Sequence, residues 1–195
     1  MKYLIILFFS FNIISFSQVG IGTVNPTSKL EISTTDDGIP GLELNPQSSP
    51  VGSADGQIAV IDDLLYMYDD NRSKWLSVLS TSFQFGRAGD VDNTRLRFGG
   101  TVANNNSGPL MPLNGTIIGF TVNTSGGLAN KGFQIRIRNG SVNQSVIDFN
   151  LINNKYNSFI INQDFNKDDY LVVNVQNQGS PVSNPVVVIW VKWRK

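Results

Sequence analysis

Strict alternation of apolar and polar side chains in short segments constrains the fold of this chain most. Phe133–Arg138 alternates without exception, and Asn139-Gly140 follows it, a pair that favours a two-residue β-hairpin turn. Val146–Ile152 and Tyr170–Gln176 repeat the pattern. A period of two belongs to a half-buried strand, whereas a helix needs a period of 3.6. The pattern therefore predicts antiparallel strands.

The same pattern extends through residues 81–195. Thr94–Phe98, Thr116–Val122 and Asn157–Ile161 also alternate, and turns rich in Asn, Gly and Ser separate the segments. About eight short strands in a segment of this length predict an antiparallel jelly-roll or β-sandwich domain. Glu, a good helix former, occurs only at Glu31 and Glu43, which agrees with an all-β chain.

Residues 18–80 have a different texture, because four prolines interrupt them. Strand-like pieces lie between the breaks: Lys29–Ser33, Gly41–Leu44, Gln57–Ile61, Leu64–Tyr68 and Lys74–Leu79. The last three predict a small β-meander with turns at 62–63 and 69–73. No segment is long enough to enclose a large core. This N-terminal fibre-like β-meander region therefore needs a partner, either another domain or other copies of the chain.

Residues 1–17 have the layout of a secretory signal peptide. Lys2 precedes an apolar run that reaches about Phe16, and Ser15 and Ser17 frame a cleavage site that would leave Gln18 first. An uncleaved membrane anchor is the alternative, but the run is shorter than a bilayer span and Asn12 interrupts it. We therefore expect an exported protein, secreted or at the cell surface, that is not integral to the membrane.

The last predicted strand, Pro185–Trp193, is apolar on both faces between Val186 and Val191. A sandwich strand needs only one apolar face, so the second face needs cover. The N-terminal meander could supply it in cis, or a neighbouring subunit could; we assign Val186, Val188 and Trp190 to a trimer contact. Trp190 and Trp193 also invite a sugar-stacking interpretation, but residues three apart point to opposite faces, which favours packing or subunit contact.

The charged and reactive residues predict no catalysis. The chain has no His and no Cys, which removes the usual general base, the commonest metal ligands and disulfides. Two carboxylates could act as a glycosidase pair, but the only Glu residues lie in the thin N-terminal region. Asp90-Val91-Asp92-Asn93 lacks Ca²⁺-loop spacing and fits ordinary turn chemistry. We expect no catalytic residue, no metal site and no cofactor.

Four arginines form the only candidate binding site that the alternation predicts. Arg95, Arg97, Arg136 and Arg138 fall on the outward faces of two predicted strands. If those strands are neighbours, their guanidinium groups could dock an anionic surface glycan. The alternative is a solvated face, or salt bridges to Asp92, Asp148 or Asp164. Basic and acidic residues number 15 each, so no broad nucleic-acid footprint is expected.

Two stretches resemble known families. The segment 19–32, VGIGTVNPTSKLEI, resembles the GIGT-x-NP-x-x-KL-x-I segment of secreted Bacteroidetes-type and tail-fibre-like surface proteins. Residues 81–195 resemble the C1q/TNF-like jelly-roll heads of trimeric fibres, through Leu96–Gly100, Met111–Ile117 and the Val-rich final strand. The resemblance implies a homotrimer without catalysis and supplies no ligand residues.

Three functions compete at this point. The first is a non-enzymatic structural or adhesive surface protein, a fibre-like homotrimer with a jelly-roll head. The second is a carbohydrate-binding module at the cell surface, since one fold serves both. The third is an exported hydrolase, which the missing His and scarce Glu disfavour.

Overall fold

The structure is a computed structural model that describes residues 18–34, 38–103, 107–126 and 130–195. The signal peptide predicted for residues 1–17 lies outside the described residues. The chain divides into two compact units, Met1–Asn45 and Pro46–Lys195, and each is treated separately below.

The described residues of the first unit contain one pair of short strands, β1 (Val19–Ile21) and β2 (Leu30–Ile32), which run parallel. The backbone N–H of Val19 donates to the carbonyl of Lys29 at 2.8 Å. The connection through Asn25-Pro26 therefore brings β2 alongside β1. The strand predicted at Lys29–Ser33 is thus confirmed as β2. Gly41–Leu44, also predicted as a strand, is irregular. No described residue of this unit is buried.

The second unit contains only strands among its described residues. In chain order they are β3 (Ile58–Ile61), β4 (Leu64–Asp69), β5 (Lys74–Gly86), β6 (Asp90–Val91), β7 (Thr94–Arg95), β8 (Arg97–Phe98), β9 (Thr101–Val102), β10 (Gly115–Asn123), β11 (Gly132–Asn139), β12 (Val142–Asn150), β13 (Lys155–Ser158), β14 (Gln163–Phe165), β15 (Tyr170–Val175), β16 (Val182–Ser183) and β17 (Val186–Arg194).

These strands form two main antiparallel sheets. The larger sheet has the order β13-β10-β17-β5-β4-β3, with β14 on β10, β8 on β5 and β9 on β8. The smaller sheet has the order β12-β11-β15-β7, and β16 pairs separately with β6. Non-consecutive neighbours such as β10 and β17 require long connections between the sheets. The predicted all-β fold of the jelly-roll or β-sandwich class is confirmed.

The main core lies between the inward faces of the two sheets. Val187, Ile189 and Val191 of β17 have no exposed surface. From the smaller sheet, the predicted core residues Ile135, Ile137, Phe149, Leu171 and Val173 are all buried in the same apolar cluster. The alternation in the sequence therefore identified the inward faces of these strands correctly.

The meander predicted within residues 57–79 is present as β3, β4 and β5, and it extends the larger sheet. Strand β5 is 13 residues long and runs through residues 80 and 81, where the sequence analysis placed a domain boundary. Its N-terminal part pairs with β4 and its C-terminal part with β17. A second small cluster, Ala59, Ile61 and Tyr66 with Trp75, packs under the meander.

Candidate functional site

The two apolar faces of strand β17 differ in solvent exposure. Val187, Ile189 and Val191 face the core, whereas Val186 is 47% exposed, Trp190 is 36% exposed and Val188 is partly exposed. β17 lies between β10 and β5, so its outward side chains stand in the middle of the larger sheet. We call Val186, Val188 and Trp190 the β17 outer face. These are the residues that the sequence analysis assigned to a subunit contact.

Small or polar residues flank this outer face within the sheet. Trp190 lies in register with Gly119 on β10 and Ser82 on β5, and Val188 with Thr121 and Gln84. A side chain at Gly119 would collide with the ring of Phe159, so that ring lies over the glycine beside Trp190. Phe159 is 56% exposed and Ile160 is 91% exposed. The outer face and this loop therefore leave apolar surface open to solvent.

Three of the four predicted arginines meet on the outward face of the smaller sheet. Arg136 pairs in register with Val172 on β15, and Arg95 on β7 pairs with Asn174, two residues further along β15. Arg138 follows Arg136 on the same face of β11. We call Arg95, Arg136 and Arg138 the arginine face. Val172 has no exposed surface although it lies on this outward side, so neighbouring side chains cover it.

Arg97 is separated from the other three arginines. It lies on β8, which pairs with β5 and β9 of the larger sheet, and it is exposed. Arg138, expected at the surface, is 4% exposed and donates hydrogen bonds to the Asn143 side chain and, at 2.5 Å, to the Ser141 carbonyl. The two predicted strands are therefore not simple neighbours, and the four guanidinium groups do not form one patch.

Two hydrogen bonds through the Gln134 side chain connect Arg136 to the carboxylate of Asp148. Its Nε donates to Gln134 Oε1 at 2.9 Å, and Gln134 Nε2 donates to Asp148 Oδ1 at 2.6 Å. Gln176 Nε2 donates to the same Asp148 oxygen at 3.1 Å. Partial burial lowers the pKa of Arg136, and the positive charges of Arg95 and Arg138 lower it further, against a smaller opposing effect of Asp148.

The Asp90–Asn93 turn, considered above for Ca²⁺, uses its carboxylates for other contacts. Asp90 Oδ1 accepts a hydrogen bond from the Ser183 hydroxyl at 2.5 Å. Asp92 accepts one from Lys131 Nζ, and this hydrogen bond lowers the pKa of Asp92. Lys131 has no exposed surface, a buried cation that no sequence signal indicated. Among the described residues, no three acidic, His or Cys side chains are grouped to hold a metal ion.

A surface cavity beside the C-terminal end of β17 also lacks a group of side chains suited to catalysis. It measures ≈ 440 Å³ and is lined by both signs of charge, including Asp62, Lys167 and Lys195. Asp62 and Lys195 form a hydrogen bond with each other, so their charges are largely neutralised within the cavity.

Asp164 lies outside this cavity. Burial raises the pKa of Asp164, but hydrogen bonds from Lys74 and Thr116 outweigh this effect and lower the pKa. Both arrangements are structural contacts.

Trp193 packs differently from Trp190. Its indole ring meets Phe165 edge-on, with ring centroids 6.2 Å apart, at the margin of the main core. Trp190 lies on the outer face, so the two side chains do point in opposite directions, as their spacing predicts. A sugar-binding platform made from both rings is therefore not formed.

Comparisons with known proteins give little further information. No family model matches the chain, and no curated protein matches it. Among solved structures, the crystal structure of FLHE is similar over 60% of this chain and 98% of that one, at 13% sequence identity and a TM-score of 0.29. A likeness this weak carries no argument about fold or function. In the described residues, no helix is long and apolar enough to cross a membrane.

Proposed function

We propose that this chain is an exported, non-enzymatic structural or adhesive surface protein that assembles as a fibre-like homotrimer with a jelly-roll head. The observation that carries the proposal is the exposed apolar surface of the β17 outer face. Val186 and Trp190 lie on an inner strand of the larger sheet, between β10 and β5, and a monomer would leave them in contact with water. Exposed apolar surface of this kind marks an interaction site.

The first unit supports the proposal independently. Most apolar side chains among its described residues are exposed, including Val24 at 93%, Ile39 at 70% and Leu42 at 64%. A unit of this size cannot bury enough apolar surface by itself to offset the loss of conformational entropy. Within the described residues, the parallel pair β1–β2 forms a sheet of only two strands, whose edges can accept further strands. Copies of the same chain would supply both apolar cover and edge pairing.

A homotrimer is the assembly that the resemblance of 19–32 and 81–195 to trimeric fibre proteins implies. Closed rotational symmetry lets one surface patch be covered in every subunit without open-ended polymerisation. The relation to C1q/TNF-like heads, like export and the cell-surface location, is part of the same proposal. The carboxylates and arginines engaged in the contacts described above have structural partners, which agrees with a non-catalytic role.

Paired substitutions in β17 test the assembly. Val186→Asp and Val188→Asp place a charge on the outer face, and we expect folded monomers. Ile189→Asp, one residue further on, places a charge in the main core and should unfold the second unit. Light scattering gives the mass and circular dichroism gives the fold. A wild-type chain beginning at Gln18 that is monomeric at micromolar concentration would refute the trimer.

Export is tested by mass analysis of the N-terminus. Secreted or periplasmic material should begin at Gln18, because Ser15 and Ser17 frame the predicted cleavage site. Membrane-bound material that retains Met1 would contradict cleavage.

A further inference from the structure

Three guanidinium groups converge on one sheet face because of strand register. Arg136 and Arg138 are two residues apart on β11, and Arg95 lies two strands away on β7. Strands are about 4.8 Å apart, so the long side chains on β7 and β11 can reach the same surface above β15. Arg97, which the sequence analysis grouped with them, lies on β8 of the larger sheet. The three arginines are therefore brought together by the pairing of β7, β15 and β11, and no single segment of the sequence contains all three.

Arg136 lies beside Arg95 and Arg138: partial burial lowers the pKa of Arg136, and the positive charges of these two neighbours lower it further. Arg136 donates its described hydrogen bonds to one neutral oxygen, Gln134 Oε1. None of the ion pairs among the described residues includes Arg136. The nearby Asp148 carboxylate accepts its hydrogen bonds from two glutamine amides. Like charges held close together favour binding of a counter-anion.

We propose that the arginine face binds a polysaccharide that carries carboxylate or sulfate groups, with the partly exposed Arg95 and Arg136 as the contacting groups and the buried Arg138 adding positive charge beside them. Arginine presents parallel N–H donors that match the oxygens of such groups. Arg95, Arg136 and Asn174 are partly exposed on the outward face of the smaller sheet, across which an extended polymer can lie. Asn174 lies in register with Gln134 on the same face, is partly exposed, and offers an amide group to sugar hydroxyls.

A polysaccharide fits this face better than a nucleic acid does. Basic and acidic residues are equal in number, and the positive groups here are three rather than an extended stripe. Tyr170, which shares this face, is 6% exposed and offers no open ring for base stacking. The proposal deepens the adhesive part of the proposed function and rests on it in that respect, but it does not require a trimer.

Binding of defined polymers to the full chain tests the site. The probes are polygalacturonate for carboxylates, dextran sulfate for sulfate esters, and neutral dextran as the uncharged reference. We expect binding to one or both charged polymers that weakens as salt increases. Arg136→Gln should weaken it about tenfold, the equivalent of one charge-assisted hydrogen bond. The two charged probes distinguish which anionic group is preferred.

Arg97→Gln is the matched control, because the same substitution is made at an exposed arginine of the other sheet. It should bind like wild type, and Asp148→Asn, which removes a repelling carboxylate, should bind as well or better. The proposal is overturned if Arg136→Gln binds like wild type, if Arg97→Gln loses as much, or if neutral dextran binds equally. Tighter binding of single-stranded DNA than of either polymer also overturns it.

Sedimentation and circular dichroism on the same samples separate this proposal from the assembly. A folded monomer that binds charged polymer through Arg136 would refute the trimer and support the site. A trimer that binds neither charged polymer would do the reverse.

Discussion

Arg72 fixes the meander turn to the rest of the second unit, and its removal gives the sharpest test of how that unit is built. Its Nε donates to the Ile161 carbonyl at 2.9 Å, and its Nη2 donates to the carbonyls of Phe159 at 3.0 Å and Ile118 at 3.2 Å. Its Nη1 pairs with Asp69 at 2.7 Å within the turn. The residues contacted are distant in sequence, so one side chain joins the end of β4 to β10 and the loop after β13.

The substitution Arg72→Met keeps much of the apolar stem and removes all of these donors. Each hydrogen bond from a charged group contributes about 1.5–3 kcal/mol when its partner is left unsatisfied. Water can replace part of this, because the bond to Phe159 is exposed. The expected loss of unfolding free energy is therefore about 2–4 kcal/mol, well below the total of the separate bonds. For a unit of this size that corresponds to a fall in Tm of about 5–12 °C.

Urea unfolding and amide hydrogen exchange measure the effect in two ways. Exchange should accelerate in β4 and the 69–73 turn, with β11 and β15 little changed. Arg72→Lys should recover little, because one ammonium group cannot reach three carbonyls in different directions. The control is Arg97→Met, at an exposed arginine. If the two Met variants differ by less than about 0.5 kcal/mol, the argument is refuted.

Two further predictions follow from burial and charge. Ile135→Ala should lower the unfolding free energy by about 2–5 kcal/mol, whereas Arg136→Ala, on the outward side, should cost no more than about 1 kcal/mol; equal losses by urea unfolding would contradict the register. The hydrogen bond from Lys131 lowers the pKa of Asp92, so its contribution to stability is present above the unfolded pKa of about 3.9 and is lost as pH falls through the lower folded value. Asp92→Asn should therefore be less stable than wild type at pH 7, and the difference should shrink below about pH 4. A difference that is independent of pH would exclude the Lys131 pair as its cause.

Local patterns predicted the inward faces of β11, β12 and β15 but did not predict contacts between distant segments. Alternation alone identified Ile135, Phe149 and Leu171 as core residues, because the side-chain period of a strand is fixed by its geometry. The partners of Arg72 and Lys131 lie tens of residues away in sequence. Their burial depends on tertiary contacts, and an isolated Lys or Arg in a sequence favours a solvated position. No local signal distinguishes the exceptions.

The two faces of β17 give a second example of a feature that the sequence specifies only in part. The continuous apolar run from Val186 to Val191 shows that both faces are apolar, but the run by itself does not decide which one faces the core. The structure makes that choice through register: Val187 pairs with Phe85 and Val122, which are themselves buried, whereas Val186 pairs with Gly86 and Asn123. The assignment of Val186 to the outer side thus depends on its cross-strand neighbours.

The four predicted arginines do not form one patch, because the chain passes from one sheet to the other at Leu96. Thr94–Phe98 alternates like one strand, which would put Arg95 and Arg97 on the same face. Leu96 instead marks a corner: it is fully buried, and its N–H bonds to Val173 of the smaller sheet while its carbonyl accepts from Ala103. The chain leaves one sheet before Leu96 and joins the other after it. Arg95 and Arg97 therefore keep the alternating spacing of one strand but lie in different sheets. Only the three-dimensional fold shows which arginines can share a ligand.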